Sequence, residues 1–386
     1  MAHLELHVPA RVIIGYLNEL RTLGTGIQTL SDERKKEISG RLSKPLNPVT
    51  AEFKTYPGKN LILIIVESLQ TFAIDDEFDG IPVAPTLRRL LNDSTVSYAS
   101  RMQTATAMGH SAAGQFVYNT GLLPVRNEPF TNSYASADYP SIAKALGPNY
   151  RKEEFIGEEK RVWKHYKTSI SYGFDQLHDL SLGMRGIDWL DSVIFRKSYE
   201  RIKDIKAPFF AMVSTLSMHE PFRDLPKNPV FSGKGLSRME HSYIEKTHAF
   251  DRFLGCFLDS LDRKGILNNS VVVIAADHCL GSDYYDLSNV TDSPDDIPLL
   301  VMPPKGSDTK GIRTSAKLSQ SVVFPTVLDI MGVAEKYPYK GIGTSLFRLS
   351  GHDYTPEGKD SESDWRVAED IMRARYFPFP TGSTPE

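Results

Sequence analysis

The chain has 386 residues, with 45 Lys and Arg against 48 Asp and Glu, a net charge of −3. Apolar residues make up 40% and charged residues 24%, the balance of an ordinary globular protein, and with so small a net charge no field favours nucleic acid. The longest apolar run, Leu61 to Val66, is far short of the roughly 20 residues that span a bilayer, and the N-terminus has no basic-then-apolar leader. These residues read as a cytosolic protein or as an excised ectodomain whose membrane part is missing.

Residues 1–58 read as a helical lead-in and linker. Val12 to Leu23 predicts one amphipathic helix, and Ser31 to Leu42, with a Ser N-cap and acids in its first turn, predicts a second. The body, 59–350, opens with Asn60 to Val66, an unbroken apolar run of the kind found in strands covered on both faces. Similar runs recur at Phe209 to Val213, Val271 to Ala276 and Pro298 to Met302. Helical patterns lie between them at Pro85 to Leu91, Ser242 to Arg263 and Ser319 to Met331. In the second of these, Phe250, Phe253, Leu254, Phe257, Leu258 and Leu261 share one face. Strands alternating with helices predict an α/β fold: a central, mostly parallel sheet flanked by helices on both faces. The tail, 351–386, is polar and reads as a poorly packed extension. Cys256 falls in a helical pattern and reads as core, whereas Cys279 falls in a loop; the pair could form at most one disulfide.

In open α/β sheets, ligands bind beyond the carboxyl ends of the strands. Glu67 follows the first run, Asp277 and His278 follow the run ending at Ala276, and His219 follows the run from Phe209. Ser111 lies among small residues, with His110 before it, where a loop enters a helix. Unpaired backbone N–H groups and the helix dipole would favour an anion there. Each residue alone has a plainer reading. Glu67 could cap a turn, Asp277-His278 could be a solvated pair, Ser111 could be an N-cap, and His219 could be a core imidazole bonded to backbone. Their coincidence at the strand ends of one sheet points instead to a divalent cation, with donors suited to Mn²⁺ or Zn²⁺ rather than Ca²⁺.

In order along the chain, Asn60 to Gln70, Ala84 to Leu90, Gly109 to Phe116, Ser214 to Phe222, Val271 to His278, Ser319 to Gly332 and Tyr339 to Phe347 resemble one known pattern. It is that of the lipoteichoic acid synthase and phosphoglycerol transferase branch of the alkaline-phosphatase/sulfatase superfamily. The resemblance implies one metal held by Glu67, Ser111, Asp277 and His278, most readily Mn²⁺, with Zn²⁺ or Mg²⁺ as alternatives. Ser111 would be the nucleophile, and His219 would contact the phosphate or its leaving group. Trp163, Lys164, His165 and His110 would line the substrate pocket. It also implies a closing helix and strand in the last two segments, and a domain outside the cytoplasmic membrane.

Two departures touch the expected pocket. The family's Arg just past the tryptophan is replaced here by Lys164 or His165, and a His in the preceding segment by Ile156. Its synthases carry Thr where this chain has Ser111. The implied activity is transfer of a phosphoglycerol-type or related head group from a phospholipid donor to an envelope glycan or polymer, through a covalent Ser111 intermediate. Alternatives are a phosphodiesterase, a phosphoethanolamine transferase, a sulfatase-like hydrolase or a non-catalytic lipid-binding relative. The sulfatase Cys/Ser-x-Pro-x-Arg signature is absent, which makes sulfate esters the weaker choice.

Overall fold

A computed structural model describes residues 28–49, 53–182, 190–206, 208–280, 285–350 and 358–379. The helix expected over Val12 to Leu23 lies outside the described residues. Strand β1 (Asn60–Val66) is followed by a small hairpin, β2 (Glu77–Phe78) and β3 (Ile81–Pro82). Then come β4 (Ser97–Gln103), β5 (Arg151–Ile156), β6 (Gln176–Asp179), β7 (Phe209–Ser214), β8 (Ser270–Ala276), β9 (Ile297–Met302), β10 (Arg313–Thr314) and β11 (Leu318–Ser319). Nine of these form one sheet in the order β10-β4-β9-β8-β1-β7-β5-β6, with β11 also paired to β4. Within this sheet, among the described residues, only the pairings of β9 with β4 and with β8 are antiparallel. The expected α/β class with a mostly parallel sheet is therefore found.

Every residue of β1 and β8 is buried, as strands covered on both faces must be. The main helices are α1 (Asp32–Leu42), α2 (Pro85–Leu90), α3 (His110–Thr120), α4 (His165–Tyr172), α5 (Leu190–Ile202), α6 (Arg238–Arg263), α7 (Val323–Ile330) and α8 (Glu362–Arg373). One group packs α2 and α5 against α6, whose start is fixed by a capping box between Ser237 and Glu240. A second group packs α3 against α7. The two groups flank the sheet.

Four expectations are corrected. Ser319 to Met331 is not one helix: it begins as β11, passes through a turn of 3₁₀ helix and becomes α7 only at Val323. The segment Tyr339 to Phe347 forms no strand; it is irregular and ends in a 3₁₀ turn, Leu346–Arg348. Cys256 is on the exposed side of α6 rather than in the core, and the cysteines form no disulfide. The polar tail is not loosely packed over its described part. Helix α8 buries Val367, Ala368, Ile371 and Met372 and is tied to α1 by Arg34–Asp370 (2.6 Å) and Arg41–Asp364, and to Arg126 through Glu362 and Glu369. Its polar residues hold ion pairs on one side while its apolar ones fill the core on the other.

Candidate active site

Parallel pairing in the order β8-β1-β7-β5 aligns the carboxyl ends of four strands along one edge. The residues just past those ends converge. Glu67 follows β1, Asp277 and His278 follow β8, Thr215 follows β7, and Glu158 lies two residues beyond β5. Ligand atoms of Glu67, Asp277 and His278 lie within 4.8 Å of one another, and all three residues are buried.

Helix α3 brings in Ser111. The helix begins at His110, one residue earlier than expected, and Ser111 is not its N-cap: that position is Gly109. The Ser111 hydroxyl donates to Glu67 Oε2 (2.9 Å) and lies 3.3 Å from His278 Nε2. The N–H groups of the first helical turn have no partners inside a helix, so this end suits an anion. Small residues let α3 approach. A Cβ on Gly114 would lie 2.2 Å from the Asp277 carbonyl oxygen, so helix and strand end touch there backbone to backbone. Tyr118 from the same helix donates its hydroxyl to the Ala276 carbonyl. His110 takes φ 40°, ψ −123°, a conformation that L-residues rarely adopt, immediately before the serine.

Neighbouring groups fix the cluster. His278 Nδ1 faces the Cys279 carbonyl at 2.7 Å; a carbonyl only accepts, so Nδ1 carries the proton and Nε2 is turned toward Glu67 (3.2 Å). Asp277 Oδ1 accepts from the amides of Ser68 and His278, both at 2.8 Å. Glu67 Oε1 accepts from Ser68 Oγ (2.9 Å), and the Glu67 amide donates to Thr215 Oγ1 (3.0 Å). Gln320 links the Ala105 amide to the Asp277 carbonyl, and Thr104 Oγ1 accepts from the Cys279 amide. Burial would raise the Glu67 carboxyl, but the hydrogen bond and charge of His278, the His219 charge and the Ser111 hydroxyl hold it well below its usual range. Burial and the Glu67 charge push Asp277 up. Burial opposes a charged His278, yet Asp277 and Glu67 push it up to about 10. A cation held among these donors would have to displace protons from Asp277 and His278.

The cluster opens into a cavity of about 340 Å³ lined by Glu67, Ser111, Asp277, Gln115, Glu158, Glu159, Val162, Trp163, Thr215 and His219, among others. His219 presents its ring there. Its Nδ1 donates to the Glu220 carbonyl (2.7 Å), which leaves Nε2 for a ligand. The segment before it is pinned by buried Asp191, whose Oδ1 accepts from the Leu216 (2.7 Å) and Ser217 (3.0 Å) amides.

Of the residues expected to bind substrate, the structure brings His219 and Trp163 to the cavity wall. His110 stands beside the cluster, its ring edge-on to that of His278 at 5.4 Å. Lys164 and His165 do not reach the cavity. The chain passes through φ 49° at Trp163 and φ 55° at Lys164, which swings both away. Lys164 Nζ donates to the Asn132 carbonyl (2.9 Å), and His165 is buried behind the wall. His165 Nε2 meets Glu158 Oε1 at 3.0 Å, and Nδ1 lies 4.0 Å from buried Glu154. Burial would lower His165, but Glu158, Glu154 and Asp179 raise it. Its place is therefore to hold Glu158, which does line the cavity. Glu158, Gln115, Thr215, Thr104, Gln320 and Asp191 were not singled out from the sequence. Glu158 and Thr215 obey the strand-end rule that found Glu67, but β5 (RKEEFI) does not read as a strand.

The chain belongs to the sulfatase family, whose sequence profile matches residues 59–333. It is 24% identical to lipoteichoic acid synthase 2 of Bacillus subtilis over 311 residues, covering 75% of this chain and 47% of that protein. It is also 24% identical to lipoteichoic acid synthase of Staphylococcus aureus over 388 residues, covering 90% of this chain and 58% of that one. The chain thus spans about half the length of these relatives. Among solved structures, the lipoteichoic acid synthase LtaP of Listeria monocytogenes superposes with a TM-score of 0.71 at 20% identity, over 91% of this chain and 100% of that one. The Streptococcus pyogenes phosphoglycerol transferase GacH, solved with sn-glycerol-1-phosphate, superposes with a TM-score of 0.58 at 14% identity, over 91% and 94%. At these identities the superpositions establish the alkaline-phosphatase-type fold.

Proposed function

We propose that this chain is the catalytic part of a metal-dependent transferase that moves a phosphoglycerol-type unit from a phospholipid to an envelope glycan or polymer, outside the cytoplasmic membrane. One observation carries the reading: the Ser111 hydroxyl, at a helix N-terminus, lies within hydrogen-bond reach of Glu67 and His278 in a buried carboxylate-imidazole cluster that opens on a cavity. The named relatives support the same chemistry.

Glu67, Asp277, His278 and Ser111 would hold the cation. Oxygen donors with a single imidazole suit Mn²⁺ best, with Zn²⁺ or Mg²⁺ as alternatives. Bound there, it would lower the pKa of the serine hydroxyl and stabilise charge on phosphate oxygens. With its proton lost to solvent, Ser111 Oγ attacks phosphorus, the bond to the diacylglycerol oxygen breaks, and that oxygen takes a proton from His219 Nε2. The first-turn amides of α3 face the phosphate oxygens. An acceptor hydroxyl then gives its proton to His219 and attacks phospho-Ser111, which returns the free serine. A glycerol head group offers hydroxyl donors to Glu158 and a carbon skeleton to Trp163.

The test is covalent trapping. Protein loaded with Mn²⁺ and incubated with phosphatidylglycerol should yield a glycerol-phosphate adduct on the peptide that holds Ser111, and Ser111→Ala should give neither adduct nor diacylglycerol. An adduct on Thr104 or Thr106, or undiminished diacylglycerol release by Ser111→Ala, would overturn the assignment.

A further inference from the structure

Helix α4 is inside out for a helix at a water-facing surface. Its polar residues His165, Thr168, Ser169 and Ser171 are buried, while Tyr166 and Ile170, one turn apart, are 36% and 73% exposed. Val162, just before the helix, is 44% exposed. Of the five large apolar side chains exposed among the described residues, three are therefore in this one segment. Scattered exposed apolar residues need no explanation, but a cluster beside a cavity marks a contact surface.

The charges around it choose the occupant. The segment Lys160 to Lys167 carries Lys160, Arg161, Lys164 and Lys167. Lys164 is turned inward to Asn132. Lys160 and Arg161 are exposed, and Lys167 Nζ lies 5.8 Å from the centre of the Tyr166 ring. The Tyr166 amide donates to the Lys160 carbonyl (3.1 Å), which sets Lys160 beside the apolar face. Of the acidic groups nearby, Glu159 pairs with Arg161 (3.1 Å) and offsets it, Glu158 is held by His165, and Asp179 accepts from the Lys160 amide (3.1 Å). Apolar side chains flanked by Lys160 and Lys167 are the composition of a surface that lies on anionic lipid.

We propose that the outer face of α4, with Val162, docks on an anionic lipid surface and so brings the cavity mouth to the level of the head groups. This rests on the phospholipid-donor reading above. The link to the cavity is direct, because Val162 is both exposed and part of the cavity wall beside Trp163.

Co-sedimentation of the full chain with vesicles of phosphatidylcholine alone, and of phosphatidylcholine mixed with phosphatidylglycerol, tests it. The wild type should pellet with the mixed vesicles, and less so as salt is raised. Tyr166→Asp with Ile170→Asp should lose that binding, as should the milder Ile170→Ser in part. Lys160→Glu with Lys167→Glu should weaken partitioning on the order of tenfold or more. All variants should melt like wild type and turn over a water-soluble phosphodiester at the wild-type rate. Wild type that stays in the supernatant, or variants that pellet as wild type does, would overturn the proposal. So would a wild-type dimer that Ile170→Asp dissociates without any change in vesicle binding. If no protein turns over the soluble diester, the functional reading fails, while the vesicle result still decides the docking surface.

Discussion

Gly114→Ala adds one methyl group and touches no side chain of the proposed chemistry, yet it should disable the site. The new Cβ would sit 2.2 Å from the Asp277 carbonyl oxygen and 2.9 Å from its carbonyl carbon, where ordinary contact begins near 3.4 Å. Both partners are backbone, so no rotamer can relieve the clash. Helix α3 and the end of β8 must part by about 1.2 Å, and that gap separates Ser111 from Asp277 and His278. A displacement near 1 Å at a reacting group costs on the order of 100-fold in rate, and overpacking of this kind costs about 1–3 kcal/mol of stability. The assay is kcat/KM on a soluble phosphodiester, alongside a Mn²⁺ titration and a denaturation curve. Gly40→Ala is the control: it lies in α1 with nothing within 4 Å of its Cβ, so it should leave activity alone and stabilise by about 0.5–1 kcal/mol. Wild-type turnover and metal affinity in Gly114→Ala would refute the close packing of α3 on the Asp277 peptide.

Two further predictions come from titrating groups. Because Asp277 and His278 are both raised in the cation-free protein, Mn²⁺ must displace their protons. Its affinity should therefore climb with pH through the neutral range, with release of roughly one to two protons measured by calorimetry in buffers of different ionisation heat; equal heats in every buffer would exclude this. Asp191 is raised to about 6, mainly by burial, so the folded state holds its proton more tightly than the unfolded chain. That contribution is complete below about pH 4 and is lost as pH rises through about 6. It amounts to roughly 3 kcal/mol at most, and Asp191→Asn should remove it, so urea denaturation curves of wild type and variant that stay parallel across this range would contradict it.

What the sequence disclosed follows from where its polar groups lie. Strands β1, β7, β8 and β9 are apolar runs because both of their faces are covered, and β1 and β8 end where Glu67 and Asp277 begin. The strand-end rule then leads directly to Glu67, Asp277 and His278. Strand β5 defeats the same logic. Glu153 is fully buried, yet it is answered by His178, Arg201 (2.8 Å) and Arg151 (2.5 Å), and the strand has no apolar periodicity to read. Helix α8 was missed for a related reason: its charges pair with Arg34, Arg41 and Arg126, partners far away in the chain. Pairings of that range leave no local signature.

The same contrast separates the chemistry of the site from its selectivity. The cation cluster is assembled from strand ends and one helix start, positions that a short run of residues determines. The wall of the cavity depends on a strained turn at Trp163 and Lys164, which decides which neighbouring side chain faces the cavity and which supports the wall from behind. Reading Lys164 or His165 as a stand-in for an arginine assumes a regular path through that turn. The path is not regular, so His165 lies inside, between Glu158 and Glu154, and Glu158 lines the cavity. Loss of the family's arginine therefore removes no contact that His165 could supply. What the cavity wall presents is a carboxylate held by a buried imidazole, beside an indole, and such a pairing would favour hydroxyl-bearing head groups over bare phosphate.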